Sequence, residues 1–293
     1  MRRAPWIATA GAVGYVFLWA SAFVPSRVIA VGAPPLWALG ARFLAAGAIL
    51  VVIARASGLA WPRDARSWTF AALYGVFANA LYLALNYEAL RHLSSGMGAI
   101  IASTNPLLLA VLAPFFLKER LTARKAAGLA LGFAGVLVAM RARAATRAAE
   151  PADVALAAGG VLALVIATVL FKRSRTEAHP LVVNAISLVA GGLAMLPFAA
   201  AIEGAPRAAL TPLLVASFVY LVVVMSIGAT LLWFWLLSNG EASRVSAFYF
   251  LTPLFGVAAG ALLLGERLFV LDFVGLVVVS AGIVLATRVR APG

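Results

Sequence analysis

The sequence predicts an all-α polytopic membrane protein, with ten transmembrane helices arranged as two inverted five-helix repeats around a central cavity. Three observations predict it: a composition too apolar for a water-facing surface, ten apolar segments of membrane-crossing length, and a set of residues that recurs at one fixed offset. Of 293 residues, 64% are hydrophobic and 11% are charged, where a soluble domain carries roughly 45–50% and about 25%. So few charges cannot cover a surface in water, so lipid is the solvent for most of the molecule. A disordered chain and a disulfide scaffold are excluded. Cysteine is absent, which removes thiol chemistry and Cys-based metal sites. The net charge of +13 does not mark a nucleic-acid-binding domain. Its basic residues sit in short clusters between apolar runs, such as Arg63 and Arg66, Lys118 to Lys125, and Lys172 to Arg175, as the positive-inside rule produces.

The apolar segments run near 6–30, 35–54, 67–89, 95–117, 123–141, 154–172, 180–201, 212–238, 242–264 and 269–287, about the length that crosses ~30 Å of hydrocarbon. They are helices, because backbone groups in lipid must be satisfied within the segment and the runs are too continuous for barrel strands. The first follows Met1-Arg2-Arg3 in the manner of a signal peptide. Its length, and the interruptions at Trp19, Ser21, Ser26 and Arg27, point instead to an uncleaved span. The second holds Arg42, the only formal charge well inside a span, read as structural and satisfied by backbone carbonyls and nearby polar side chains. In the third, Asn79, Tyr82 and Asn86 recur at spacings of three and four and form one polar face. The fourth carries Ser103 and Pro106. Gly128-x-x-x-Gly132 lets another helix approach the fifth closely, within the chain or between subunits. Ser226, Thr230 and Trp233 make a polar face in the eighth span, and Ser246, Tyr249 and Pro253 another in the ninth. Pro106 and Pro253 each remove a backbone donor and are read as hinges.

An even number of spans puts both ends on one side. Fifteen of the 23 basic residues lie on that side and seven on the other, with Arg42 inside a span, so both termini are expected to be cytoplasmic. The ten carboxylates all fall in connections or near span ends, and none sits where a mid-membrane proton relay or cation counter-charge would be placed. His92 and His179 lie at opposite span ends, and neither a metal site nor a cofactor is expected. The short connections leave no room for a soluble domain, so function belongs inside the bundle.

Pro106-Leu107 is followed thirteen residues later by Glu119-Arg120-Leu121, and Pro253-Leu254 thirteen later by Glu266-Arg267-Leu268. The same shift of 147 maps Leu117 onto Leu264, Gly128 onto Gly275, Gly135 onto Gly282 and Arg141 onto Arg288. Such a run of matches means duplication. The halves divide at 1–147 and 148–293, and five spans each force the second to enter the membrane in the opposite sense. That is a transporter architecture, with a central site at the repeat interface. Both Glu-Arg pairs, at helix ends, are read as loop anchors that snorkel to the interface.

Trp19-Ala20-Ser21-Ala22-Phe23 in the first span resembles the opening motif of the EamA family in the drug/metabolite transporter superfamily. Each half also closes with that family's pattern, a proline followed by Leu-x-Glu-Arg: Pro106 with Leu117-Lys118-Glu119-Arg120, and Pro253 with Leu264-Gly265-Glu266-Arg267. The first copy has Lys118 where glycine is commoner, a departure that bears on local turn geometry. The resemblance implies ten helices in two inverted repeats and export of metabolites from the bacterial cytoplasmic membrane. Among relatives the chain looks most like bacterial amino-acid exporters of the YddG type. Substrate contacts are then expected from Ser21, Asn79, Tyr82, Asn86, Ser103, Thr230, Trp233, Ser246 and Tyr249. The expected partners are a small neutral or zwitterionic solute and the bilayer, with no nucleic acid, in a monomer or homodimer. The alternatives are a carrier of drug-like or nucleotide-sugar solutes, for which intramembrane basic clusters are missing, and a membrane-embedded lipid enzyme, for which no acid, histidine or metal cluster is evident.

Overall fold

Helix starts are written into the chain as prolines and short polar caps. The computed structural model describes residues 5–89, 92–93, 101–141, 150–174, 176–240, 242–252, 254–255 and 269–287, and among them every regular element is helical. In order these are α1 (Pro5–Ser21), α2 (Phe23–Gly32), α3 (Pro35–Ala56), α4 (Ala65–Gly75), a π-helical segment Val76–Leu81 and α5 (Tyr82–Ala89). Then come α6 (Asn105–Leu117), α7 (Ala123–Met140), α8 (Pro151–Ser174), α9 (Pro180–Glu203) and α10 (Pro212–Tyr220). A second π-helical segment Leu221–Ala229, α11 (Thr230–Asn239), α12 (Ala242–Ser246), a 3₁₀ turn Ala247–Leu251 and α13 (Val270–Thr287) complete them. Proline opens α3, α9 and α10, where its missing N–H is no loss. The Asp64 carboxylate accepts from the Ser67 N–H at 2.7 Å to cap α4, and that bond holds its carboxyl below the usual carboxylate range. Thr122 and Thr211 cap α7 and α10 in the same way.

Among the described residues seven helical stretches are long and apolar enough to cross a membrane: Ala8–Gly32, Pro35–Ala56, Ala65–Ala89, Pro151–Ser174, Pro180–Glu203, Pro212–Asn239 and Val270–Thr287; the expected spans near 95–117, 123–141 and 242–264 are not among them. Their outer faces carry exposed apolar side chains, among them Val31, Ile202, Val270 and Val277. Water would penalise such a surface and lipid does not. The protein is therefore a polytopic membrane protein.

Between helices the hydrophobic drive is weak in lipid, and close backbone packing replaces it. The most extensive pair among the described residues is α7 with α13. A Cβ on Gly128 would lie 2.8 Å from the Gly282 oxygen and 2.5 Å from the Ala286 nitrogen, and one on Gly135 would lie 3.0 Å from the Gly275 oxygen. Gly128 thus meets the later residues and Gly135 the earlier ones, so the two helices run antiparallel. The close approach anticipated at Gly128 is made within the chain, while Gly132 faces the Phe250 ring. α3 and α9 pair antiparallel as well, with Gly40 against Leu196 and Gly47 against Val189. On its other side α9 presses on α4, where a Cβ on Gly75 would come within 1.9 Å of the Ser187 oxygen.

Polar side chains tie the ends. The Glu203 carboxylate accepts from the Leu36 and Trp37 N–H groups (2.9 and 3.1 Å), at the start of α3. The Lys172 ammonium donates to the carbonyls of Leu237 and Gly240, at the end of α11. Glu119 is more than a loop anchor: Oε1 accepts from the Ala242 N–H at 2.8 Å, while Oε2 lies 3.6 Å from the Lys125 ammonium, both side chains being buried. Its counterpart pair Glu266-Arg267 lies outside the described residues. Lys118, the position that departs from glycine, closes α6 in the left-handed region at φ 57°.

Candidate solute-binding cavity

The two π-helical segments, each carrying extra residues in a turn, are separated by the same 147-residue shift that relates the sequence repeats: Val76–Leu81 falls on 223–228, inside Leu221–Ala229. Asn79 falls on Ser226 under that shift. π-bulges free a carbonyl and rotate the following face, and they recur at functional sites. Here both border one cavity in the middle of the bundle. Its wall comes from both halves: Tyr15 and Trp19 from α1, Arg42 and Phe43 from α3, Tyr74, Ala78, Asn79 and Leu83 around the first π segment, Leu164 from α8, and Met225, Ser226, Ala229, Thr230 and Trp233 around the second.

A polar group and an aromatic layer share this wall. Arg42 is 8% exposed and its Nε donates to Ser226 Oγ at 2.8 Å. Asn184 Nδ2 donates to the Ser226 carbonyl at 2.9 Å, and Asn79 Nδ2 reaches the Ser187 carbonyl at 3.4 Å. The Tyr87 hydroxyl lies beside the guanidinium without hydrogen-bond geometry. No carboxylate among the described residues pairs with Arg42. Against this group stand the rings. Tyr15 stacks on Trp233 with centroids 5.0 Å apart, Trp19 on Tyr82 at 6.0 Å, and Tyr249 meets Tyr15, Trp19 and Trp233 edge-on at 5.5–5.7 Å. The Tyr15 and Tyr249 hydroxyls share a 2.7 Å hydrogen bond between the two halves. Each ring pair adds about 0.5–1.5 kcal/mol beyond burial, so the layer holds the halves together. The cavity it leaves is about 50 Å³, room for a few waters and well below the ~300 Å³ at which drug-sized pockets begin.

Of the residues singled out in the sequence, Asn79, Thr230 and Trp233 line this cavity. Tyr82 and Tyr249 stand behind it in the aromatic layer. Ser21 bonds to Tyr220 and to the Leu18 carbonyl, away from the cavity. Asn86 is half-buried and Ser103 and Ser246 are buried, all three outside the lining. Pro106 sits in the first turn of α6, just after a turn at Ser103–Thr104, so the break precedes the proline; Pro253 lies outside the described residues. Tyr15 and Asn184 escaped the sequence reading, and Arg42, singled out there, was given a structural role and not a place in the cavity wall. Tyr15 and Trp19 share a helical face at a spacing of four, a signal that was present, whereas an isolated Arg in an apolar run gives no direction. Among the described residues no group of three His or acidic side chains could hold a metal.

The profile of the EamA-like transporter family matches this chain twice, over residues 6–141 and 153–288. A Bacillus subtilis protein named as the uncharacterized transporter YvbV is 27% identical over 97% of this chain and 93% of its own. A Salmonella typhimurium protein named "Probable amino-acid metabolite efflux pump" is 26% identical over 94% of each chain, and an Escherichia coli protein of the same name is 25% identical over 92% and 90%. One crystal structure is similar in fold, with a TM-score of 0.77 over 96% of this chain and 95% of that one at 19% identity.

Proposed function

We propose, starting from the fact that this chain belongs to the EamA-like transporter family, that it is a secondary carrier exporting small neutral or zwitterionic metabolites, amino acids first. The observation that carries this reading is a cavity walled by both halves, lined with aromatic rings and polar donors, with no carboxylate among the described residues of its wall. A solute without net charge can be held there by shape and hydrogen bonds, and no acid among the described lining residues is placed to couple its passage to protons. The names of the Salmonella and Escherichia coli relatives agree with amino-acid efflux.

On this reading ten helices form two inverted five-helix units, 1–147 and 148–293, that rock about the cavity. Two features support it. The antiparallel contacts of α7 with α13 are reciprocal under the 147 shift, since Gly128 meets Gly282 and Gly135 meets Gly275. The two π segments are related by that shift as well. The present cavity is too small for an amino acid, so the aromatic layer must part for a solute to enter. Asn79, Thr230 and Trp233 are its contacts at the wall, with Tyr82 and Tyr249 behind them. Ser21, Asn86, Ser103 and Ser246 come within reach once the helices move, with Pro106 and Pro253 at the hinges. The charge bias supports cytoplasmic termini, and the bacterial relatives support a bacterial inner membrane.

The test is release of labelled methionine, threonine and phenylalanine from liposomes containing purified protein. Protein-dependent efflux that falls in Trp233→Ala and Asn79→Ala supports the reading. No flux of any amino acid across a broad panel sinks the substrate class, and turnover of lipid by the pure protein sinks the carrier itself.

A further inference from the structure

We infer that Arg42 anchors a carboxylate of the solute, so that the cavity takes amino acids or organic acids and rejects their amides and amines. The inference rests on the carrier reading above and narrows it to a ligand chemistry. A guanidinium enclosed in a membrane bundle is costly unless paired. Arg42 is enclosed, lines the cavity and has no acidic partner among the described residues. Its Nε bond to Ser226 Oγ fixes the plane of the fork from one side. With the Phe43 ring 5.3 Å from the guanidinium carbon and the Tyr87 hydroxyl beside it, the terminal nitrogens match a carboxylate in a planar, two-point geometry.

A second, independent observation lies on the same wall. The buried Trp233 Nε1–H has no acceptor among the described residues. Asn79 contributes an amide held only by a 3.4 Å bond. Three donors around one cavity, with no carboxylate among the described residues between them, call for an acceptor-rich, anionic group. A phosphate dianion would exceed the single positive charge, whereas a carboxylate balances it. The faces of Tyr15, Trp19 and Trp233 then suit an ammonium or an apolar side chain at the other end of the solute.

The experiment measures equilibrium binding and thermal stabilisation of the full chain in nanodiscs, using the proteinogenic amino acids, short and aromatic monocarboxylates, and the matching amides and amines. The expected result is that acids bind at least about tenfold tighter than their amides. Arg42→Gln should bring acid and amide within about twofold, with Arg42→Lys between. Equal binding of acid and amide, an unaltered preference in Arg42→Gln, or no binding of any carboxylate overturns the assignment. If Arg42→Gln does not fold, the acid–amide comparison in the unsubstituted protein decides alone. The two readings fail separately. Binding of simple monocarboxylates without amino-acid flux removes the amino-acid substrate and keeps Arg42, while equal flux of amino acids and their amides keeps the carrier and removes Arg42.

Discussion

Replacing Gly75 by alanine should destabilise the bundle more than a single methyl group ordinarily can. The added carbon would sit 1.9 Å from the Ser187 carbonyl oxygen and 2.6 Å from its carbon, both backbone atoms of α9. An ordinary carbon–oxygen contact is about 3.3 Å, so α4 and α9 would have to part by about 1.4 Å. α9 cannot yield, because α3 packs on its far side: a Cβ on Gly47 would already lie 3.1 Å from the Val189 nitrogen, and one on Gly192 3.1 Å from the Leu44 nitrogen. Overpacking typically costs about 1–3 kcal/mol, and with rigid backbone on both sides the upper end applies. At roughly 2–4 °C per kcal/mol for a chain of this size, the Tm in detergent should fall by about 6–12 °C. The control is Gly14→Ala in α1, where nothing lies within 4 Å and alanine is the better helix former by up to ~1 kcal/mol; its Tm should hold or rise. Gly75 also precedes the π segment that presents Asn79, so efflux should drop along with stability. A Gly75→Ala protein melting within about 1 °C of the parent would refute the packing argument.

Removing either hydroxyl of the Tyr15–Tyr249 bond, as Tyr15→Phe or Tyr249→Phe, should cost about 1 kcal/mol each. The double variant should cost little more, a non-additivity read from a thermal double-mutant cycle. Lys118→Gly should raise the Tm, because a left-handed lysine at φ 57° costs about 1–2 kcal/mol, part of which glycine returns as unfolded-chain entropy; calorimetry or fluorimetry reads it. Glu119→Ala should lower stability by about 3 kcal/mol, since it removes both the cap on Ala242 and the charge facing buried Lys125. Glu119→Gln should recover part of the loss through the cap alone, measured in the same melts.

Seven of the ten expected spans were legible because the hydrocarbon thickness acts on each of them, and composition alone reports that constraint. The glycines at 128, 135, 275 and 282 were legible as a repeat, and helix contact at the first of them was foreseen, though not that its partner would be α13. The polar faces of the third and eighth spans could be read at Asn79 and Thr230 because each keeps helical spacing over a short stretch. The π segments could not, since an extra residue per turn leaves no periodic mark in a run such as Val76-Phe77-Ala78-Asn79-Ala80-Leu81. Arg42 was visible but mute: its surroundings are Ser226, Asn79 and Trp233, 37 to 191 positions away, and local spacing carries no information about them. Ser21 shows the converse, a residue prominent by motif whose hydroxyl is taken up by Tyr220.

Among the described residues none of the side chains that bound the cavity comes from α7 or α13, although these helices share the most extensive helix contact there. The pair acts as a keel, out of reach of whatever is carried. Substitutions there are judged by backbone fit alone, so the cargo preference of such a bundle can be redesigned on its other helices without disturbing the joint. A spectroscopic label on the lipid face of this pair would follow the joint itself and leave the cavity wall untouched.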